Sequence, residues 1–218
     1  MFLFIDRHFS TMLQYKDQRV GVFIDVQNMY YSARNLFQRK VSFANIVAEG
    51  VGDRKLIRAI AYVVTTKGGE ESPFLEALEQ KGIELKKKEL LEYFSGQKKA
   101  DWDVGITVDV IKMLDMLDVV VLVSGDGDFI PLVHYIQSRG RQVIVISFRE
   151  STSSKLVEAT DLYINMSENK RKFLIGGPTN KGRDARNEED PEIVGTFEPA
   201  VEEPEEKIED RRGRRMSF

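Results

Sequence analysis

Short apolar runs alternate with amphipathic stretches along most of the chain. Runs such as VGVFID at residues 20–25 and VVVLVS at residues 119–124 have the length and β-branched content of buried strands. Other stretches place apolar side chains at helical spacing and end near a glycine. The pattern predicts strands at residues 20–25, 56–64, 83–88, 119–124, 143–148 and 161–164, and helices at 28–37, 43–50, 71–81, 101–117, 129–139 and 153–158.

This order of elements predicts the fold class. Strands that are separated by helical crossovers form a parallel sheet with helices on both faces. We therefore expect an α/β domain of three layers, αβα, with a mainly parallel central sheet, over residues 20–175.

The two ends of the chain have a different composition from this domain. Residues 1–19 predict an N-terminal helical extension that packs on the domain or on a partner, and through it a possible homo-oligomer. The apolar side chains of this segment are Phe2, Leu3, Phe4, Ile5, Phe9, Met12 and Leu13. Residues 176–218 are rich in charge, Gly and Pro, and they predict a disordered tail because they cannot bury enough apolar surface to offset their ordering entropy.

Composition limits the chemistry that this chain can perform. With 218 residues it is long enough for one well-buried domain, and it has no Cys and two His, so a metal site must be built from carboxylates. Such oxygen ligands favour Mg²⁺ or Mn²⁺ over zinc. No stretch approaches the roughly 20 apolar residues of a membrane span, and the start lacks the pattern of a secretory signal. We expect a cytoplasmic protein without a membrane partner.

Acidic residues occur at comparable places in this architecture. Asp25 ends the first strand, Asp126 and Asp128 follow the strand at 119–124, and Asp101 and Asp103 open a helix. Ligands of open α/β sheets bind beyond the carboxyl ends of the strands, where strand order reverses. Converging carboxylates repel one another unless a cation neutralises them. The pattern therefore predicts a divalent metal site, of the kind that assists phosphodiester hydrolysis.

Several of these polar residues also have a purely structural interpretation. Asp126 and Asp128 suit a turn that starts a helix, and Asp101 suits a helix N-cap. Asn28 caps the first helix, directs its amide at a metal-bound water or a phosphate, or does both. Ser124 either makes a local turn hydrogen bond or contacts the substrate. Asp109 is expected to lie outside the site, because it falls on a different helical face from Asp103.

The segments that carry these acids resemble the NYN domain family, the LabA-like branch of the PIN-like ribonucleases. The resemblance rests on the combination of FIDVQN at 23–28, DVGITVD at 103–109 and VSGDGDF at 123–129. It implies a PIN-like, Rossmannoid fold and a metal-dependent ribonuclease that uses Mg²⁺ or Mn²⁺. The residues that match the family's acidic site are Asp25, Asp103, Asp126 and Asp128, with Asn28 and Ser124 as neighbours. Asp101 is an additional acid, and whether Asp101 or Asp103 binds the metal stays open.

An RNA substrate requires positive charge beside the acids. Lys98 and Lys99 directly precede ADWD, and Ser124 is a further candidate contact. Trp102 either stacks a base or packs against the sheet. The more distant candidates are Lys67, Lys86, Lys87, Lys88, Arg149 and Lys155.

The sequence leaves one main alternative to the nuclease and disfavours two others. A non-catalytic module that binds RNA or protein in a regulatory role is the main alternative to the nuclease. A nucleotide-driven switch is disfavoured, because the chain lacks the glycine-rich loops that cradle phosphates. A phosphatase of the HAD type is disfavoured as well, since FIDVQN has no second Asp at the required spacing.

Overall fold

The structure is a computed structural model that describes residues 15–65, 72–89, 91–92, 98–99 and 101–176. Residues 91–92 and 98–99 are described by their backbone alone. The predicted N-terminal helix before residue 15, the predicted disordered tail after residue 176, and Lys67 lie outside the described residues. The side chains of Lys98 and Lys99 also lie outside them.

The chain forms alternating strands and helices, as the sequence predicts. The strands are β1 Arg19–Asp25, β2 Lys40–Val41, β3 Lys55–Thr65, β4 Glu84–Glu89, β5 Leu91–Glu92, β6 Lys98–Lys99, β7 Val119–Val123, β8 Gln142–Ser147, β9 Leu162–Asn165 and β10 Leu174–Ile175. The helices are α1 Val26–Phe37, α2 Phe43–Val51, α3 Ser72–Glu79, α4 Asp103–Met113, α5 Ile130–Ser138, α6 Ser154–Ala159 and α7 Lys170–Phe173. None of the helices in the described ranges has the length and hydropathy that a membrane crossing requires.

Six strands form the central sheet, in the order β4-β3-β1-β7-β8-β9, and all of their pairings are parallel. One hydrophobic cluster covers each face. On one face α1, α2 and α3 pack through residues such as Met29, Ile46 and Leu75. On the other face α4, α5 and α6 pack through residues such as Ile106 and Ile136. The three-layer α/β prediction is therefore confirmed.

The strand order reverses beside β1. From β1 the chain adds β3 and then β4 on one side, and it returns to add β7, β8 and β9 on the other side. The carboxyl ends of β1 and β7 are therefore direct neighbours at the switch point. A crevice for ligands is expected at this place in an open α/β sheet.

The helix boundaries differ from the sequence prediction by up to four residues, and at two helices a 3-10 turn accounts for the difference. The helix predicted at 101–117 begins only at Asp103, with Trp102 as its N-cap, and ends in a tight 3-10 turn, Leu114–Met116. The helix after β7 begins at Ile130 and follows a 3-10 turn, Gly127–Phe129. The change from α-helix to 3-10 helix depends on the backbone hydrogen bonds at the helix end. Apolar periodicity does not report these bonds, so the sequence could not show the change.

The carboxylate of Asp118, directly before β7, links the amino ends of neighbouring strands. Asp118 accepts hydrogen bonds from the backbone N–H of Arg19 at 2.9 Å and from its guanidinium at 2.8 and 3.0 Å. Arg141 adds a third cationic contact at 3.4 Å. The bonds from Arg19 lower the pKa of Asp118 to about 2. This carboxylate, directly before β7, joins the first residue of β1 to the residue directly before β8.

Asp118→Asn is expected to lower the free energy of unfolding by about 1 kcal/mol at neutral pH. Hydrogen bonds between charged groups stabilise a fold by more than this, but solvent weakens them here because the Asp118 side chain is 31% exposed. The folded pKa lies below the ordinary 3.8, so the stabilisation is complete above about pH 4 and is lost as pH falls toward 2. Urea unfolding at about pH 7 and about pH 3 measures both effects. Asp115→Asn is the control, because its side chain is 90% exposed; an equal loss in both variants would contradict the assignment.

Candidate metal centre

The loop that leaves β7 is held close to a neighbouring segment. A Cβ atom on Gly125 would lie 2.6 Å from the carbonyl oxygen of Ser151, so only glycine fits there without displacement. The carbonyl of Gly125 accepts a hydrogen bond from the backbone N–H of Ser153 at 3.0 Å. A Cβ on Gly127 would lie 3.0 Å from the Ser153 hydroxyl. The segment after β8 therefore fixes the GDGD loop, a support that the sequence analysis did not predict.

The first acid of this loop shapes the following turn. The carboxylate of Asp126 accepts a hydrogen bond from the backbone N–H of Asp128 at 2.9 Å and caps the 3-10 turn Gly127–Phe129. Phe129 is buried in the core beneath the turn. The structural interpretation of Asp126 is thus confirmed. It does not exclude a second role, because the other carboxylate oxygen is not used by this cap.

Three carboxylates converge at the switch point. Asp103, Asp126 and Asp128 each offer an oxygen, and these oxygens lie within 4.8 Å of one another. Asp103 is brought there by α4, whose first residue it is. Asp103 and Asp126 are half-buried, and Asp128 is exposed. The structure therefore brings together three of the four acids that the sequence singled out as metal ligands.

Asp25, the fourth of these acids, lies beneath this group at the end of β1. Its Oδ1 accepts a hydrogen bond from the backbone N–H of Asn28 at 3.0 Å, which makes Asp25 the N-cap of α1. Its Oδ2 accepts a hydrogen bond from the hydroxyl of Ser124 at 3.4 Å. The same hydroxyl accepts a bond from the backbone N–H of Asp126 at 3.2 Å. Ser124 is fully buried and links the two acids, so its surroundings favour a positioning role over contact with RNA.

The side chain of Asn28 connects α1 to the GDGD loop. Its Oδ1 accepts a hydrogen bond from the backbone N–H of Gly125 at 3.0 Å. The prediction that Asn28 caps α1 is wrong, because Asp25 holds that position and Asn28 supplies the N–H that the cap accepts. A carboxylate three residues before a helical N–H is a sequence signal of this arrangement.

The carboxyls of Asp25 and Asp103 have raised pKa values. Burial raises the pKa of Asp25 to about 7; the bond from Asn28 opposes this rise, and repulsion from Asp103 and Asp126 adds to it. Burial also raises the pKa of Asp103 to about 6, with further contributions from Asp126, Asp101 and Asp128. Repulsion of this kind is relieved by a proton or by a cation. Without a cation, the carboxyl of Asp25 is therefore partly protonated near neutral pH.

Trp102 packs against the sheet at the side of the cluster. Its indole N–H donates to the carbonyl of Val63 at 3.0 Å, and its ring lies 5.2 Å from that of Tyr62. A Cβ on Gly105 would lie 2.5 Å from the same indole ring, so the helix approaches it closely. The packing interpretation of Trp102 is confirmed, and stacking on a base stays a prediction.

The remaining charged candidates lie around this packing unit. The carbonyl of Asp101 accepts a hydrogen bond from Nζ of Lys88 at 3.0 Å, and that Nζ lies 5.7 Å from the centre of the Trp102 ring. Asp109 instead pairs with Lys86 at 2.6 Å and accepts a bond from Tyr62 at 2.8 Å. As the sequence predicts, Asp109 lies outside the group of three acids.

Two further cations lie beyond the GDGD loop. Arg149 donates to the carbonyl of Thr152 at 3.4 Å and to the hydroxyl of Ser154 at 3.3 Å. Lys155 is exposed on α6.

The three acids fit a hard divalent cation. Mg²⁺ binds oxygen ligands at about 2.0–2.1 Å, which places the oxygens of one coordination shell about 3–4 Å apart. Oxygens within 4.8 Å of one another approach this spacing. The chain contains no Cys, so thiolate ligands that would favour a softer metal are absent.

Comparisons with known proteins agree with this fold. The family model of the NYN domain matches residues 19–167. The protein named low amplitude and bright protein LabA, from Synechococcus elongatus, is 26% identical over 168 residues, which are 72% of this chain and 88% of the relative. A crystal structure of a Vibrio parahaemolyticus protein of unknown function superposes with a TM-score of 0.67 at 30% identity, covering 75% of this chain and all of the other. The chain belongs to the NYN domain family, within the PIN-like superfamily whose members are generally nucleases.

Proposed function

We propose that this protein is a metal-dependent ribonuclease that hydrolyses RNA phosphodiester bonds with Mg²⁺ or Mn²⁺ as its cofactor. The observation that carries the proposal is the convergence of Asp103, Asp126 and Asp128 within 4.8 Å at the switch point of the sheet. Membership of a superfamily that is generally made of nucleases supports it. The pKa of Asp103 supports it further: burial raises this pKa, repulsion from Asp126, Asp101 and Asp128 adds to the rise, and a bound cation would relieve that repulsion.

In this proposal the acids of the site would bind the cation. Asp103, Asp126 and Asp128 would hold the cation, and Asp25 would complete the set from below after losing its proton. When bound, a divalent cation supplies stabilisation of the charge on the phosphate and lowers the pKa of a coordinated water. Asp103 is preferred to Asp101 as the ligand, since Asp101 is outside the group of three.

The neighbouring residues would keep these acids in place. Ser124 bridges Asp25 and Asp126, and Asn28 holds the backbone of Gly125. Asp128 is the exposed member of the group, and we assign to it the orientation of the attacking water, with Asp103 as the alternative. Residues that fix reacting groups in this way contribute through orientation.

The direct test is incubation of the purified protein with RNA of mixed sequence in Mg²⁺, in Mn²⁺ and in EDTA. Cleavage with either metal and none in EDTA is the expected result. RNA that is bound tightly but not cut with either metal would contradict the nuclease and favour the regulatory binding module. Comparison of Asp103→Asn with Asp101→Asn then decides which acid matters, and we expect the larger loss of turnover for Asp103→Asn.

The lysines that directly precede the acids in the sequence are expected to bind the RNA backbone. Changing Lys98 and Lys99 together to Ala should raise the Kd for RNA of any sequence and flatten its salt dependence, by roughly 0.7 in the log–log slope for each lost phosphate contact on a single strand. Turnover at saturating RNA should change little, because uniform binding does not lower the chemical barrier. Fluorescence anisotropy at several salt concentrations gives the Kd and the slope.

A second variant tests RNA binding at Lys88, a lysine whose side chain the structure describes. Lys88→Ala should act in the same direction, since Lys88 adjoins Asp101 and Trp102. The control is Lys55→Ala together with Lys81→Ala. This double change removes two exposed charges near the amino ends of β3 and β4, away from the acids at the carboxyl ends of the strands. A wild-type Kd and salt slope in the Lys98 and Lys99 variant would contradict this path for RNA.

A further inference from the structure

Helix α4 presents a hydrophobic stripe to solvent. Among the described residues ten large hydrophobic side chains are exposed, and four of them lie on α4 and the 3-10 turn after it. They are Val104 at 73%, Val108 at 41%, Ile111 at 43% and Met116 at 47% relative exposure. Spacings of four and three residues put the first three on one face of the helix.

The opposite face of α4 is already buried against the sheet through Ile106, Val110 and Met113. A helix that is apolar on two faces is expected to be covered on both. A helix face that stays in solvent usually carries polar or charged side chains. Three positions of this face instead carry the β-branched apolar side chains of Val104, Val108 and Ile111. The pattern indicates that another segment packs on the stripe.

The first described strand begins close to the carboxyl end of α4. The backbone N–H of Asp118 donates to the carbonyl of Arg19 at 2.8 Å, and Asp118 is two residues beyond Met116. Tyr15 precedes Arg19 by four residues, a distance of at most about 14 Å along the chain. Residues 1–14 therefore join the described chain within reach of the 3-10 turn that follows α4.

The sequence of residues 1–14 is complementary to the stripe. Phe2, Ile5, Phe9 and Met12 recur at spacings of three, four and three, which is the pattern of one helical face. As a helix, 14 residues would be about 21 Å long, and the 13 residues from Val104 to Met116, which are 12 steps apart, extend about 18 Å at the same rise. We propose that residues 1–14 of this chain pack lengthwise on the exposed stripe of α4, in the same direction as α4.

This arrangement places the start of the chain beside the candidate metal centre. Val104 follows Asp103 directly, so a segment that covers Val104 borders the carboxylates on the α4 side. The inference rests on burial and chain geometry, and it does not depend on the proposed nuclease activity.

The absence of Cys makes a spin-label experiment selective. A nitroxide is attached to Lys112→Cys, an exposed position beside the stripe, in full-length ¹⁵N-labelled protein. The amide signals of residues 1–14 are expected to lose intensity and to recover it when the nitroxide is reduced. The control label is at Asn35→Cys, exposed on α1 across the sheet, and should cause no such loss. Equal intensities with both labels would overturn the proposal.

Two further samples identify the occupant. Protein that carries the nitroxide but no ¹⁵N is mixed with ¹⁵N protein that carries no nitroxide. Any loss of amide signal in this mixture must come from a second copy of the chain. No loss in the mixture supports packing within one chain, and a loss there would overturn the proposal in favour of a homo-oligomer. Val108→Lys in the Lys112→Cys protein should restore the signals of residues 1–14. A loss that persists in this variant would show that the segment does not use the stripe.

Discussion

Asp126→Asn is expected to abolish metal-dependent RNA cleavage without unfolding the protein. The substitution removes one negative charge from the group of three carboxylates but keeps the oxygen that accepts the hydrogen bond from the N–H of Asp128. The 3-10 turn is therefore preserved while the affinity for a cation falls. A loss of about 3–5 kcal/mol in transition-state stabilisation corresponds to roughly 10²–10⁴-fold in rate.

Thermal unfolding of the metal-free protein separates this effect from misfolding. Because one of several like charges is removed, the variant should be as stable as the wild type or slightly more stable. Asp53→Asn is the matched control, since Asp53 is exposed in the turn before β3 at the opposite edge of the sheet. Undiminished cleavage by Asp126→Asn would contradict the assigned site, and a clear loss of apo stability would favour a purely structural Asp126.

The central strands were predictable because their composition leaves few alternatives. All five residues of β7 are fully buried, and an apolar β-branched run of that length is typical of a strand covered on both faces. Strands of two residues have no periodicity, and the pair formed by β2 and β10 was accordingly not predicted. That pairing depends on segments more than 130 residues apart in sequence, which local patterns do not report.

Helix α4 shows where periodicity alone becomes ambiguous. Val104, Ile106, Val108 and Ile111 are all apolar, and the sequence could not distinguish the buried Ile106 from the exposed others. Once the sheet is formed, one face of the helix packs on it and the other is left outward. The sequence shows that these residues are apolar, but only the structure shows which of them are exposed.

The acids of the site were predictable, but the residues that position them were largely not. Asp25 and Asp126 follow apolar strands, and the parallel order makes their neighbourhood expected. The bond from Ser153 to the carbonyl of Gly125 depends on how the segment after β8 folds back over the loop. No local signal around residue 153 indicates that contact, since Ser is common in any turn.

The raised pKa values predict how the stability of the metal-free protein varies with pH. The pKa of Asp25 is raised to about 7 and that of Asp103 to about 6, from an ordinary value of 3.8. Between about pH 4 and pH 7 the folded protein retains protons that the unfolded chain has lost. Folding stability should therefore fall as pH rises through this window. Asp118 does not oppose this trend, because its stabilisation is already complete above about pH 4.

A divalent cation should reverse this loss, because it replaces the protons as the counter-charge of the cluster. The stabilisation by Mg²⁺ is therefore expected to be small at about pH 5 and to increase up to about pH 8, with release of protons on binding. Thermal midpoints in EDTA and in Mg²⁺ across this range measure the difference, and calorimetry in two buffers of unequal ionisation enthalpy counts the protons. In Asp126→Asn both the slope in EDTA and the gain from Mg²⁺ should be smaller, since a source of repulsion on Asp25 and Asp103 is removed. A midpoint in EDTA that rises from about pH 5 to about pH 8, or a gain from Mg²⁺ that does not depend on pH, would contradict the coupled carboxylate site.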